Sequence, residues 1–327
     1  SSSRENDNPC RRSPRYIEHP KGNWGCGKAI YDGRLFLEKA RTGVRIYMSR
    51  CVYVNGRYVP HNEATIHVFD RGFQFSDGVY EVMAVVGGKI ISEQEHLDRL
   101  AYSLKELEIP APCKVASLKH IFREVLKRNK IRDGRLYLQV TRGIAPRDHA
   151  YAGDMSPSII VASQRVSHEK EVAGIKVITI PDARWKRTDI KSISLLANVM
   201  AKREAAQQEA GEAWLTDDNG YIREAAVSNV WIVLKDGRIL TPPLSSGILK
   251  GTTRSVVLDL IKELGLKVEE KLFTVEEAEN AEEAFISGSS QFVRSVVQIN
   301  ERVIGTGEGG PITHQLREAY FKWMEAI

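Results

Sequence analysis

Five turn signals punctuate this chain and restrict its fold more than any other feature: Asn55-Gly56, Gly87-Gly88, Asp133-Gly134, Asn219-Gly220 and Asp236-Gly237. Asn-Gly, Asp-Gly and Gly-Gly pairs enter the left-handed backbone region that two-residue hairpin loops require. Short runs rich in β-branched and aromatic residues lie on either side of them. Residues 51–54 are answered by 57–59, 79–86 by 89–91, 212–215 by 221–224, and 229–234 by 238–240. Further strands are predicted at 136–141, 158–162, 176–180, 284–287 and 293–299. A chain written this way folds around sheet made largely of hairpins.

Helical patterning fills the intervals. Ser92-Glu93-Gln94-Glu95 reads as a capping box ahead of a stripe of Leu97, Leu100, Leu104 and Leu107. Ile121, Phe122 and Val125 mark a helix over about 118–126, and Val256, Val257, Leu260, Ile261 and Leu264 mark one that opens at Gly251 and stops at Gly265. A helix runs from behind Lys191 to about residue 210. Thr274-Val275-Glu276-Glu277 is a second capping box, and a last helix is expected from about Thr313. The sum is an α+β chain with helices outside sheet and no internal repeat.

Residues 164–173 carry no apolar period, which places a domain boundary there and gives domains of 48–165 and 166–327. Residues 1–47 are polar, Pro-punctuated and aperiodic, and are expected to form a disordered or irregular extension ahead of the first methionine, Met48. They hold ten Lys/Arg against five Asp/Glu, which accounts for the whole net charge of +5. The balanced remainder argues against a nucleic-acid face. Cys10, Cys26, Cys51 and Cys113 have neither disulfide-framework nor metal-ligand spacing. No apolar run approaches the roughly 18 residues of a membrane span, and no signal peptide is visible. A soluble, reduced, cytoplasmic protein without a metal site is expected.

Candidate chemistry centres on Lys191, in Asp189-Ile190-Lys191-Ser192, where an extended segment gives way to a helix. By itself it reads as a surface lysine at a strand edge. Pointed inward, it loses hydration, and its neutral amine becomes a nucleophile able to form a Schiff base. Gly251-Thr252-Thr253 is a small-residue turn at a helix N-terminus, an anion site by its amides and hydroxyls. Ser287-Gly288-Ser289-Ser290 is a companion turn at a strand end. Arg99 lies between two core positions with a fork suited to phosphate. Glu224, among apolar and small neighbours, needs a cationic partner if it is buried. Arg147 and His149, two apart, share one side of an extended loop and suit a carboxylate. Together these are the parts of a pyridoxal 5′-phosphate site.

From Met48 onward the chain resembles the fold-type IV pyridoxal-phosphate enzymes, and within them the D-amino-acid aminotransferases. The resemblance rests on Asp70-Arg71-Gly72-Phe73-Gln74-Phe75-Ser76-Asp77-Gly78-Val79-Tyr80-Glu81, His96-Leu97-Asp98-Arg99-Leu100, residues 139–149, Asp189-Ile190-Lys191-Ser192, residues 224–230 and residues 248–254, in the family's order and spacing. It implies the two-domain fold-type IV architecture, with a small first domain and a larger cofactor-binding second one. It also implies ping-pong transfer of an amino group from a D-amino acid such as D-alanine to a 2-oxo acid such as 2-oxoglutarate. Lys191 then forms the Schiff base, Glu224 meets the pyridine nitrogen, and Arg99, Thr252, Thr253 and Ser289 hold the phosphate. Leu249 packs on the ring, while Tyr80, Arg147 and His149 trap the substrate carboxylate, the last two in the neighbouring subunit of a homodimer. An aminodeoxychorismate lyase-like enzyme and a branched-chain or amine transaminase of the same fold are the alternatives. Ala226 and Val227 stand where the family carries small hydroxyl residues, and Ser76 and Gly288 where relatives often carry a glycine and a serine. These departures bear on side-chain preference more than on the chemistry.

A chain beginning at Met48 is expected to keep the full specific activity of the 327-residue protein, measured side by side with the same substrates. A large loss on deletion would show that residues 1–47 serve the reaction.

Overall fold

The computed structural model describes residues 50–151 and 153–327. The expected irregular extension, 1–47, lies outside the described residues, as do Cys10 and Cys26. Cys51 and Cys113 are free thiols.

The first half of the described chain builds a six-stranded antiparallel sheet. Its elements are β1 (Cys51–Val54), β2 (Arg57–Pro60), α1 (Arg71–Phe75), β3 (Gly78–Val86), β4 (Lys89–Ile90), α2 (Glu93–Glu106), α3 (Val115–Asn129), β5 (Gly134–Thr141) and β6 (Ser158–Arg165). The strand order is β2-β1-β6-β5-β3-β4. Strict alternation sends Leu136, Leu138 and Val140 of β5 to one face, where they pack with Phe122 and Val125 of α3 and Leu97, Leu100 and Leu104 of α2. Residues of opposite parity (Tyr80 and Val82 on β3, Arg135 on β5) fall on the other face and line a cavity.

The second half builds a nine-stranded mixed sheet. It comprises β7 (Ile175–Pro181), α4 (Leu196–Gln207), β8 (Glu212–Thr216), β9 (Ile222–Ala225), β10 (Asn229–Val233), β11 (Ile239–Thr241), α5 (Thr252–Glu263), β12 (Val268–Glu270), α6 (Val275–Glu279), β13 (Glu283–Gly288), β14 (Phe292–Ile299), β15 (Arg302–Val303) and α7 (Pro311–Ala326). The order is β12-β11-β10-β13-β14-β7-β8-β9, with β15 paired to β14. The β11/β12, β14/β7 and β7/β8 pairs are parallel. The central strands are buried on both faces, so they read as continuous apolar runs. One face meets α5 and α7 through Trp231, Phe285, Val257 and Tyr320. The other closes over Trp214, Phe273 and Ile286.

Most elements expected from the sequence stand, with shifted ends. The helix expected over 118–126 runs Val115–Asn129, and the last helix starts at Pro311. Thr274 and Glu277 form the predicted reciprocal cap. The predicted box at Ser92 does not form. Ser92 sits in the left-handed region (φ 51°), separated from β4 by Ile91, and its side-chain hydroxyl makes no cap hydrogen bond. That hydroxyl is buried without a partner. At Asp133-Gly134 the chain enters β5 as expected, and the Asp133 side chain accepts the Gly87 amide, tying the β3–β4 turn to the start of β5.

Trp231 is fully buried, stacks on Phe285 at 5.4 Å and donates its Nε1–H to Ser287 Oγ. Replacing it with alanine is expected to cost about 3–5 kcal/mol, read as a lower urea midpoint with an unchanged m-value.

Candidate active site

The loop between β7 and α4 leaves the large sheet and crosses to the small one. The reason lies in β3. Its partner β4 covers only Val85 and Val86, so the N-terminal half of that edge has free backbone groups. The Lys191 segment fills the edge: Tyr80 N–H donates to the Lys191 carbonyl at 3.0 Å, Ser192 bridges Val79, and Ile193 N–H donates to Gly78 O at 3.0 Å. Ser103 of α2 accepts the Lys191 amide, and Tyr102 donates to Asp189 at 2.6 Å. So fixed, the side chain enters a cavity of about 420 Å³, and its Nζ lies 3.3 Å from Tyr80 Oη. Lys191, which by itself reads as a surface lysine, is turned into the cavity by this pairing.

Glu224 lines the same cavity and is buried, although β9 is the last strand of its sheet. Arg184 supplies the cation, donating to Glu224 Oε1 at 2.6 Å, while Asn229 Nδ2 and the Leu249 amide donate at 3.2 Å. Burial pushes the Glu224 carboxyl up from its ordinary range, against the opposing pull of Arg184 and the Leu249 amide. Arg184 feels the same burial, yet its bonds to Asp182 and Glu224 hold its pKa above the usual value. A positively charged ring nitrogen brought against this carboxylate strengthens its ionised form.

Thr252, Thr253 and Ser289 come together at another part of the wall. Gly251 is the N-cap of α5 and makes no side-chain cap, so the first-turn amides of Thr252 and Thr253 have no intrahelical acceptor. Thr252 Oγ1 lies 3.5 Å from Ser289 Oγ. A Cβ on Gly251 would sit 2.1 Å from Asn229 Oδ1, so only glycine lets the turn approach the Glu224 support. Leu249, between the two groups, also lines the cavity.

Arg99 lines the cavity as well, but its fork is spent on a carboxylate. Nε and an Nη donate to the two oxygens of Glu81 at 2.8 and 2.7 Å, and the other Nη donates to Lys250 O. His96 completes this buried cluster, with Nδ1 2.6 Å from Glu81 and Nε2 3.2 Å from Thr252 Oγ1. Burial lowers the His96 pKa, and a neutral ring that donates from Nδ1 to Glu81 accepts the Thr252 hydroxyl at Nε2. Burial disfavours the Glu81 charge, but Arg99 outweighs it and holds the carboxyl down to about 2.

Arg147 and His149 are not brought to the cavity by their own chain. They lie in an exposed, irregular loop rather than an extended one. The sharing of one side expected for them is nonetheless realised, because both pack on Phe75, at 5.1 and 5.3 Å from its ring. Arg71 holds the loop backbone by donating to the carbonyls of Asp148 and His149. Sequence reasoning passed over Arg71, Glu81, His96, Arg184 and Asn229. Arg71, Glu81, His96 and Asn229 stood inside motifs already singled out, whereas only folding brings Arg184 to Glu224, 40 positions away. Ala226 is buried and Val227 is exposed, so of the two departures from hydroxyl residues only Ala226 is enclosed.

Glu81→Gln is expected to destabilise the protein by about 3–5 kcal/mol at neutral pH, since it strands a buried guanidinium. A depressed pKa gives stability that is complete above the ordinary glutamate value, roughly 4.3, and is lost as pH falls through about 2. Melts from pH 6 down to 3 should therefore show the gap between wild type and E81Q narrowing only at the acid end.

A family model described as amino-transferase class IV matches residues 78–299. A D-alanine aminotransferase of Bacillus licheniformis is 42% identical over 270 residues, 82% of this chain and 95% of its own. One from Staphylococcus haemolyticus is 38% identical over 278 residues, 84% and 98% of the two chains. Among solved structures, the branched-chain amino acid aminotransferase of Escherichia coli superposes with a TM-score of 0.78 at 25% identity, over 84% of this chain and 94% of that one. A second branched-chain amino acid aminotransferase, the T.th. enzyme solved with pyridoxamine 5′-phosphate, gives 0.78 at 27% identity over 85% and 94%.

Proposed function

Because the chain belongs to the class IV aminotransferases, we propose that it is a pyridoxal 5′-phosphate-dependent transaminase that moves the amino group of a D-amino acid, such as D-alanine, to a 2-oxo acid, such as 2-oxoglutarate. The observation that carries the reading is a single cavity lined by both the Lys191 amine and the buried, Arg184-paired Glu224. Relatives at 38–42% identity across nearly their whole length support the D-amino-acid side of it. The branched-chain structures resemble the chain at 25–27% identity and support the fold rather than the substrate.

The residues present fit the cofactor. The cavity volume of about 420 Å³ is within the range of small-molecule sites. Its wall offers an amine for an aldehyde, a carboxylate for a pyridine nitrogen, and amides with hydroxyls for a phosphate. Lys191 would hold the aldehyde carbon, Glu224 the ring nitrogen, and Thr252, Thr253 and Ser289 the phosphate, with Leu249 against the ring. When bound, the cofactor supplies an aldehyde that takes up the amino group and a conjugated ring that spreads charge developing at the substrate Cα.

The chain's own groups do the rest. Tyr80 holds the Lys191 amine, and that amine takes the proton leaving the substrate Cα and returns it. Glu224, kept in place by Arg184, Asn229 and Leu249, stabilises positive charge beside it. The Glu81–His96–Arg99 cluster fixes the Thr252 hydroxyl, so Arg99 supports the phosphate end through Glu81 and His96. Tyr80 meets the substrate α-carboxylate, with Arg147 and His149 reaching it from the partner in a homodimer. That arrangement accounts for a loop whose Arg147 and His149 side chains are exposed on one chain yet packed on Phe75. The domain boundary falls at 165/166 in this reading. A cytoplasmic location belongs to it too, supported by the free Cys51 and Cys113. No helix among the described residues is long and apolar enough to cross a membrane.

With 2-oxoglutarate as acceptor, D-alanine should be transaminated at least about 100-fold faster than L-alanine, since the wrong hand turns its Cα proton away from Lys191 and loses close to 3 kcal/mol of transition-state stabilisation. Lys191→Ala supplies the baseline and should show no turnover while melting like wild type. Equal rates for the two enantiomers would overturn the D-amino-acid reading, and turnover by K191A the role of Lys191.

A further inference from the structure

Five cationic side chains line the cavity (Arg99, Arg135, Arg184, Lys191 and Lys202), against one acidic side chain, Glu224. Four of the five are engaged. Arg99 is bound to Glu81, Arg184 to Asp182 and Glu224, Lys202 to Glu212, and Lys191 to Tyr80. Arg135 differs. Among the described residues it has no carboxylate partner, and its Nε is buried with no hydrogen-bond acceptor. Arg135 therefore lines the cavity as a cation with no carboxylate partner among the described residues, open to pairing with an anionic ligand through its Nη groups.

Its place on the sheet says which part of a ligand it meets. In the β3–β5 register Tyr80 opposes Gln139, Val82 opposes Tyr137 and Ala84 opposes Arg135. Side chains two apart share a face, so Tyr80, Val82 and Arg135 follow one another along a single face of the cavity wall. Tyr80 holds the Lys191 amine at one end. Arg135 stands four residues along, roughly 13 Å at about 3.3 Å per residue, with the apolar Val82 between them. Two long side chains leave room in that span for a short aliphatic chain. No acidic residue lines this stretch, so nothing in the wall competes for the guanidinium.

We propose that Arg135 is a specificity-determining residue that binds the distal carboxylate of dicarboxylic substrates, both acidic amino acids and their 2-oxo acids, with Val82 against the methylene chain. The inference rests on the transaminase reading above and names the residue that reads the second carboxylate of its dicarboxylic substrates. Arg135 forms a fork-to-carboxylate pair, whose geometry favours two parallel hydrogen bonds over a single charge contact.

The test uses holoenzyme and unreactive probes, glutarate and butyrate, titrated calorimetrically into wild type, Arg135→Gln and Arg135→Lys. Wild type should bind glutarate more tightly than butyrate. Loss of a charge-assisted pair predicts about 10- to 100-fold weaker glutarate binding in R135Q, with butyrate changed less than about 3-fold and part of the preference kept in R135K. The ratio of kcat/KM for D-glutamate over D-alanine, and for 2-oxoglutarate over pyruvate, should fall in parallel. Equal loss for both probes, an unchanged glutarate affinity, or release of cofactor from R135Q with the dicarboxylate preference intact would each overturn the assignment. Absence of amino transfer in wild type would instead defeat the parent reading, and the glutarate titration would still report on Arg135.

Discussion

The structure depends on an open strand edge. Because β4 is only two residues long, half of β3 would present unpaired amides and carbonyls beside the cavity. The Lys191 loop satisfies them, and in doing so a segment that follows the large sheet completes the small one. Backbone pairing fixes position far better than a side-chain contact does, so the amine is delivered by sheet geometry rather than by a mobile loop. The same strand then sorts its neighbours by parity. Tyr80 and Val82 face the cavity, while Glu81 between them faces α2 and its Arg99 and His96.

This sorting explains why so much charge is tolerated inside. Glu81, Arg99, His96, Glu224 and Arg184 are buried or nearly so, and each is held by partners placed with the backbone. A half-satisfied network of this kind would cost more than an apolar core. Paired, it sets the protonation of each member: Glu81 is kept ionised and His96 neutral, while Glu224 waits under a burial cost that a positive ring relieves.

Local rules carried well where a feature lies within a few residues. Hairpins at Asn55-Gly56, Gly87-Gly88, Asn219-Gly220 and Asp236-Gly237 formed because their turn residues and flanking runs agree. The cap at Thr274 formed for the same reason. Ser92 makes no cap because its backbone is left-handed, where an N-cap residue is ordinarily extended. The loop at Arg147 and His149, expected to be extended, is irregular, and Arg71, far away in sequence, donates to its Asp148 and His149 carbonyls.

What the sequence determined by itself was the inventory: sheet made of hairpins, helices with one apolar stripe, a lysine at a strand-to-helix junction, and two small-residue turns. Each follows from turn chemistry and periodicity, which act over a few residues. What only the tertiary structure decided was the pairing of charges. Arg184 reached Glu224, Arg99 turned to Glu81, and Arg135 was left lining the cavity with no carboxylate partner among the described residues. Those outcomes depend on which faces meet across 18 to 40 positions of chain. No local pattern encodes that distance, because long-range contacts are set by how sheets and helices pack rather than by the residues beside them.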